Sequence, residues 1–100
     1  MNAWERAVGE AAIRTYGRVG NILKAVEELA ELQQALCKHL TGPADATATV
    51  HVYEEIADVE IMVGRLKMLF DPDEIQDWKD GKLDRTAERL GIGVKEGNVE

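Results

Sequence analysis

Glu28 and Glu31 stand three residues apart, and so do Glu55 and Asp58. On an α-helix that spacing sends two side chains from neighbouring turns onto one face. Between Glu31 and Glu55 lie 23 residues, enough to finish one helix, turn and begin another. The two pairs can therefore face each other across an antiparallel hairpin. Four carboxylates brought together repel unless a cation sits among them, and an all-oxygen donor set suits Mg²⁺ or Mn²⁺ far better than zinc. The spacing points to a divalent-metal site.

Acidic residues are common on solvated helix faces, so the position of each pair matters. At roughly 100° per residue, Val52, Ile56, Val59, Met62, Val63, Leu66, Leu69 and Phe70 make a broad apolar arc, and Glu55 and Asp58 fall inside it. Carboxylates rarely lie in an apolar face without a partner. Around the first pair, Ile22, Val26, Leu29, Gln33, Leu36 and Leu40 form the main stripe. Glu28 flanks that stripe beside Leu32, while Glu31 lies nearly opposite. For Glu31 to join the cluster, a second packing partner must cover the side on which Lys24 and Ala35 project.

The elements that must hold these residues are helical throughout, because no stretch alternates like a strand. A first helix is expected over about residues 2–16, with Gly17 and Gly20 breaking it. A second is expected from Asn21, read as its cap, to His39 or Leu40, where Thr41-Gly42-Pro43 ends it. The third begins somewhere in 44–50 and is firm from Val52 to Leu69. Asp71-Pro72-Asp73-Glu74 supplies a capping Asp, a Pro at the first helical position and a Glu three residues after the cap, so a fourth helix should run to about Leu90. Gly81 could kink it. The expected architecture is an all-α, four-helix antiparallel bundle, with residues 1–90 as a single domain and 91–100 as a frayed or extended tail.

One hundred residues make at most one domain with a small core, and the wide apolar arc predicts a homodimer or a dimer of dimers. The formal net charge of −7 offers no basic tract to nucleic acid polymers. The single Cys37 cannot form an intramolecular disulfide and reads as a packed thiol in a reducing compartment. No signal peptide or uninterrupted apolar span is present, so a cytoplasmic protein without membrane contact is expected.

Three blocks carry a family resemblance: Asn21-Ile22-Leu23-Lys24-Ala25-Val26-Glu27-Glu28-Leu29-Ala30-Glu31-Leu32, Glu54-Glu55-Ile56-Ala57-Asp58-Val59-Glu60-Ile61-Met62, and Trp78-Lys79 leading through Lys82 to Arg85. Together they resemble the small single-domain bacterial and phage members of the MazG-like all-α nucleoside triphosphate pyrophosphohydrolases. That superfamily also holds dimeric dUTPases and phosphoribosyl-ATP pyrophosphatase. The resemblance implies Mg²⁺-dependent cleavage of a nucleoside triphosphate to the monophosphate and pyrophosphate, with Glu28, Glu31, Glu55 and Asp58 as metal ligands. Such a metal neutralises phosphate charge and lowers the pKa of a water that attacks in line.

Other residues have weaker claims. Glu27 is read either as solvated or as the group that orients the water. Lys24 sits where the family places a basic residue near the phosphates, though an i,i+4 pair with Glu28 would also explain it. Lys82, Arg85 and Arg89 form a basic row that could take the outer phosphate oxygens. His51, four residues before Glu55, either approaches the substrate or meets solvent. Trp4, Tyr16 and Trp78 read as packing residues or as surfaces for a base. A non-catalytic helical interaction module is the rival from another class. A di-iron bundle would want Glu-x-x-His pairs, and neither His39 nor His51 has a Glu three residues before it.

Overall fold

The computed structural model describes residues 1–43 and 45–93, and they are helical with short connections. Three helices follow in order: α1 Ala3–Thr41, α2 Ala46–Leu69 and α3 Pro72–Arg89. Met1–Phe70 forms one compact unit and a second begins at Asp71.

The two helices expected before residue 41 are the two arms of α1, which is bent at Gly17. There the backbone has φ 75° and ψ 176° inside an otherwise helical run. A side chain would strain that left-handed φ, and glycine adopts it freely. Gly20, expected to share the break, is ordinary helix, because the second arm resumes directly after the corner.

Asn21 does not cap that arm in the expected way. Its Nδ2 donates to the carbonyl oxygens of Ala12 (3.3 Å) and Gly17 (2.6 Å), while its Oδ1 accepts from Arg65 Nη1 at 3.3 Å. At 1% exposure it is the one large side chain fully buried among the described residues. Asn21 thus staples the bend and ties it to α2. Arg18 reinforces the corner, donating from Nη1 to the Leu69 carbonyl at 3.0 Å with its guanidinium 4.6 Å from the centre of the Phe70 ring.

Capping sets the remaining boundaries. Asn2 and Glu5 form a reciprocal capping box at the start of α1. Asp45 accepts from the Ala48 amide to open α2, within the expected 44–50 region, of which Ala44 lies outside the described residues. Asp71 accepts from the amides of Asp73 and Glu74, with Pro72 opening α3 as expected. That helix passes straight through Gly81. It ends in a Schellman arrangement, with Ile92 N–H on the Ala87 carbonyl, Gly91 N–H on that of Glu88, and Gly91 at φ 72°. Of the expected tail, residues 94–100 lie outside the described residues.

The second arm of α1 runs antiparallel to α2. Arg18 meets Leu69 and Asn21 meets Arg65, so positions rise along one helix as they fall along the other. The first arm crosses back over α2, where Met68 lies against Gly9 and Met1 approaches Gly64. Between the second arm and α2 the seam is narrow and partly polar. Its buried members are Asn21, Ala25, Glu28 and Ala35 from α1 with Glu55 and Met62 from α2. The small side chains of Ala25 and Ala35 let the two backbones come close.

This seam is not the stripe that the apolar periodicity singles out. Val26 (59% exposed), Leu29 (47%) and Leu36 (42%) face solvent, as do Ile56 (42%) and Val63 (39%) on α2. Cys37, expected to be packed, is exposed as well. Among the described residues, no helix is long and apolar enough to cross a membrane.

Candidate metal-binding site

Glu28 is buried where α1 presses on α2, and Glu55 is buried directly across from it. With the half-buried Asp58, these residues can bring one carboxylate oxygen each to within 4.8 Å of one another. A second group of the same tightness joins Glu28 to Glu27 and Glu31 on the exposed flank of α1. Glu28 belongs to both groups, so five carboxylates form one continuous patch that begins in the seam and opens to solvent.

Its electrostatics are those of a cluster short of positive charge. One oxygen of Glu28 and one of Glu55 (Oε2 in each) are buried with no hydrogen-bond partner. A buried carboxylate oxygen left without a partner carries a substantial desolvation cost. Burial, followed by the charge of Glu28, pushes the Asp58 carboxyl above its ordinary 3.8. The charge of Glu28, followed by burial and by the charge of Glu55, does the same to Glu31 above 4.5.

The nearest cation is Lys24. Its Nζ lies 3.1 Å from Glu28 Oε1 and 3.4 Å from Glu27 Oε1, and its own pKa is raised above 10.5, first by the hydrogen bond to Glu28. The i,i+4 pairing that the spacing allowed is therefore formed. Being half exposed, Lys24 satisfies one edge of Glu28 and leaves the buried edge bare. His51 Nδ1 approaches Glu55 Oε1 at 3.9 Å from the first turns of α2. That is ion-pair range for a protonated imidazole and too long for a hydrogen bond.

A set of oxygen donors, two of them buried and unsatisfied, fits a hard divalent cation such as Mg²⁺ or Mn²⁺, which takes one or two carboxylates and completes its octahedron with water and phosphate. The seven expected site residues of the first unit, Lys24, Glu27, Glu28, Glu31, His51, Glu55 and Asp58, come together along one stretch of the α1–α2 seam. Lys82 and Arg85 belong to the second unit, where they line one concave surface with Thr86, Glu88 and Arg89.

Sequence reasoning passed over Arg65. It is half-buried, donates to Asn21 Oδ1 and Met62 Sδ, and keeps a buried Nε without a partner. The available signal was the one that exposed Asp58: a charged residue inside the apolar arc of α2, two turns further on.

No family model, no curated protein and no solved structure matches the chain.

Proposed function

We propose that the protein is a divalent-metal-dependent nucleoside triphosphate pyrophosphohydrolase, using Mg²⁺ or Mn²⁺ to convert a nucleoside triphosphate to its monophosphate and pyrophosphate. The observation that carries this reading is the pair of unsatisfied, buried oxygens on Glu28 and Glu55 beside Asp58. A structural role alone gives no reason to bury two carboxylates against each other, since replacing them with apolar groups would be cheaper. The resemblance of the two acidic motifs to the MazG-like enzymes supplies the reaction.

In this reading Glu28, Glu55 and Asp58 would hold the cation, with Glu31 as a further ligand from the exposed flank. When bound, the metal contributes positive charge against the phosphate oxygens and lowers the pKa of water. Glu27, exposed beside the cluster, accepts a proton from the attacking water as its oxygen bonds to the α-phosphorus. The bond from that phosphorus to the oxygen bridging to the β-phosphate breaks, and pyrophosphate departs. Lys24, paired with Glu27 and Glu28 at the edge of the cluster, would offer its ammonium to a phosphate oxygen. His51 lies at the same rim.

A panel of canonical and modified nucleoside triphosphates, incubated with Mg²⁺ and assayed separately for pyrophosphate and orthophosphate, tests the reading. Metal-dependent release of pyrophosphate from at least one substrate is expected. Release of orthophosphate alone, or turnover that persists in chelator, contradicts it.

A further inference from the structure

Arg65 is half-buried in the same seam as the carboxylates and has no acid beside it on its own helix. The positions one turn away are Ile61, Met62, Met68 and Leu69, all apolar. Among the described residues only its Nη1 is engaged, donating to Asn21 Oδ1 at 3.3 Å and approaching Met62 Sδ at 3.6 Å. Its Nε is buried with no partner, and Nη2 makes no hydrogen bond to a described residue. Nε and Nη2 together form the side-on edge of a guanidinium, the pair of parallel donors that takes two oxygens of one carboxylate or phosphate. Asn21, itself fixed by the carbonyls of Ala12 and Gly17, holds the guanidinium by its other end and leaves that edge to a ligand. A buried donor without a partner opposes folding, so the arrangement calls for an oxyanion.

Its place along the seam selects which one. Arg65 follows Asp58 by seven residues, two turns of α2, so the two stand on one line of the helix. Long side chains on a helix lean toward its N-terminus, and the contact with Met62 shows this guanidinium leaning that way, toward Asp58. Met62 itself is one turn, about 6 Å, from Asp58. Across the seam, the register set by Arg18 with Leu69 and Asn21 with Arg65 brings Lys24 level with Met62. Charge therefore changes sign along one line, from the carboxylate patch past Lys24 to Arg65. We propose that Arg65 binds the outer phosphates of the metal-bound nucleoside triphosphate, with Asn21 as its positioning residue. The assignment rests on the pyrophosphohydrolase reading and gives the substrate a direction: the α-phosphate at the carboxylates, the β- and γ-phosphates running toward the corner at Gly17. A ligand that spans this line must carry anionic oxygens along its length, as a polyphosphate does and a lone carboxylate does not.

Calorimetric titration of the full chain with inorganic tripolyphosphate in saturating Mg²⁺ tests this, with Arg65→Gln and Arg65→Lys measured beside wild type. Wild type should bind the probe, and Arg65→Gln, which removes both charge and fork, should bind it about tenfold or more weakly. Arg65→Lys keeps the charge without the fork and should fall between the two, so the site is still read if the glutamine variant does not fold. Mn²⁺ affinity in the absence of polyphosphate should be the same in all three proteins, whereas a substitution that merely loosened the hairpin would weaken the metal too. Tripolyphosphate bound equally tightly by all three proteins overturns the assignment. So do parallel losses of metal and tripolyphosphate affinity, or no binding by wild type at millimolar probe. An Arg65-dependent tripolyphosphate site in a chain that hydrolyses no nucleotide would support the site and sink the proposed reaction, so the two failures are distinguishable.

Discussion

The α1–α2 hairpin has two regions that depart from ordinary packing in opposite directions. In the seam, where large aliphatic side chains would be expected, lie Asn21, Glu28 and Glu55 with two alanines and Met62. On the adjoining layer, where polar residues would be expected, lie Val26, Leu29, Leu36, Ile56 and Val63. Burying carboxylate oxygens without partners opposes folding, and exposing aliphatic residues forgoes stabilisation of about 25 cal/mol per Å². Each anomaly therefore asks for a missing component. The seam calls for positive charge and the layer calls for apolar surface. The proposed cation would answer the first, and the two regions can be perturbed independently.

The largest expected effect lies in the seam. Asp58→Asn removes a charged oxygen donor while keeping the shape of the side chain, so pyrophosphate release should fall by orders of magnitude with the circular dichroism unchanged. Wild-type turnover in that variant would separate the cluster from catalysis.

Next in size is a change in stability. Glu55→Gln removes a buried charge, so the metal-free variant should melt several degrees above wild type, corresponding to on the order of 1 kcal/mol. In wild type, saturating Mg²⁺ should raise the melting temperature by mass action, and the variant should lose most of that response. Equal Mg²⁺ stabilisation of both proteins would place the ion elsewhere.

The pH dependence has a definite sign. Asp58 and Glu31 titrate above 3.8 and 4.5 in the folded chain, so the native state binds more protons than the unfolded state between those ordinary values and the raised ones. The destabilisation by their charge is thus complete above the raised values and is relieved as pH falls through them. Metal-free protein should therefore gain stability on mild acidification through this window. With saturating Mg²⁺ the gain should shrink or reverse, because acid competes for the ligands. Denaturant melts at several pH values, with Mg²⁺ and with chelator, check both directions.

The smallest effect concerns Lys24. Lys24→Met removes the ammonium paired with Glu27 and Glu28, so Mn²⁺ should bind a few-fold more tightly while KM for the triphosphate rises. A weaker affinity for Mn²⁺ would show that Lys24 organises the carboxylates and does not compete for them.

Much of this was legible from residue types. The i,i+3 acidic pairs, the helix start at Asp71-Pro72, the stop at Thr41-Gly42-Pro43 and the break at Gly17 are local signals, and each acts through chemistry within a turn or two of itself. Which face of α1 meets α2 was not legible. A helical wheel finds the most apolar stripe, and Ile22, Val26, Leu29 and Leu36 win that contest. The neighbour took the side where Ala25 and Ala35 permit close approach. The reading of Asn21 as a cap failed for a related reason. Asn is favoured at helix starts because its oxygen accepts backbone amides, yet here its amide group donates across a bend to Ala12 and Gly17. Nothing within one turn of Asn21 encodes that fold-back or the approach of Arg65.

If Glu28, Glu55 and Asp58 bind a divalent cation, calorimetric titration of the metal-free chain with Mn²⁺ will show it. Wild type should show a saturable site, with affinity falling at least tenfold in Glu28→Gln and in Asp58→Asn while Glu10→Gln, in the first arm of α1, matches wild type. Binding equally tight in all four proteins, or no binding in wild type at millimolar Mn²⁺, would contradict it.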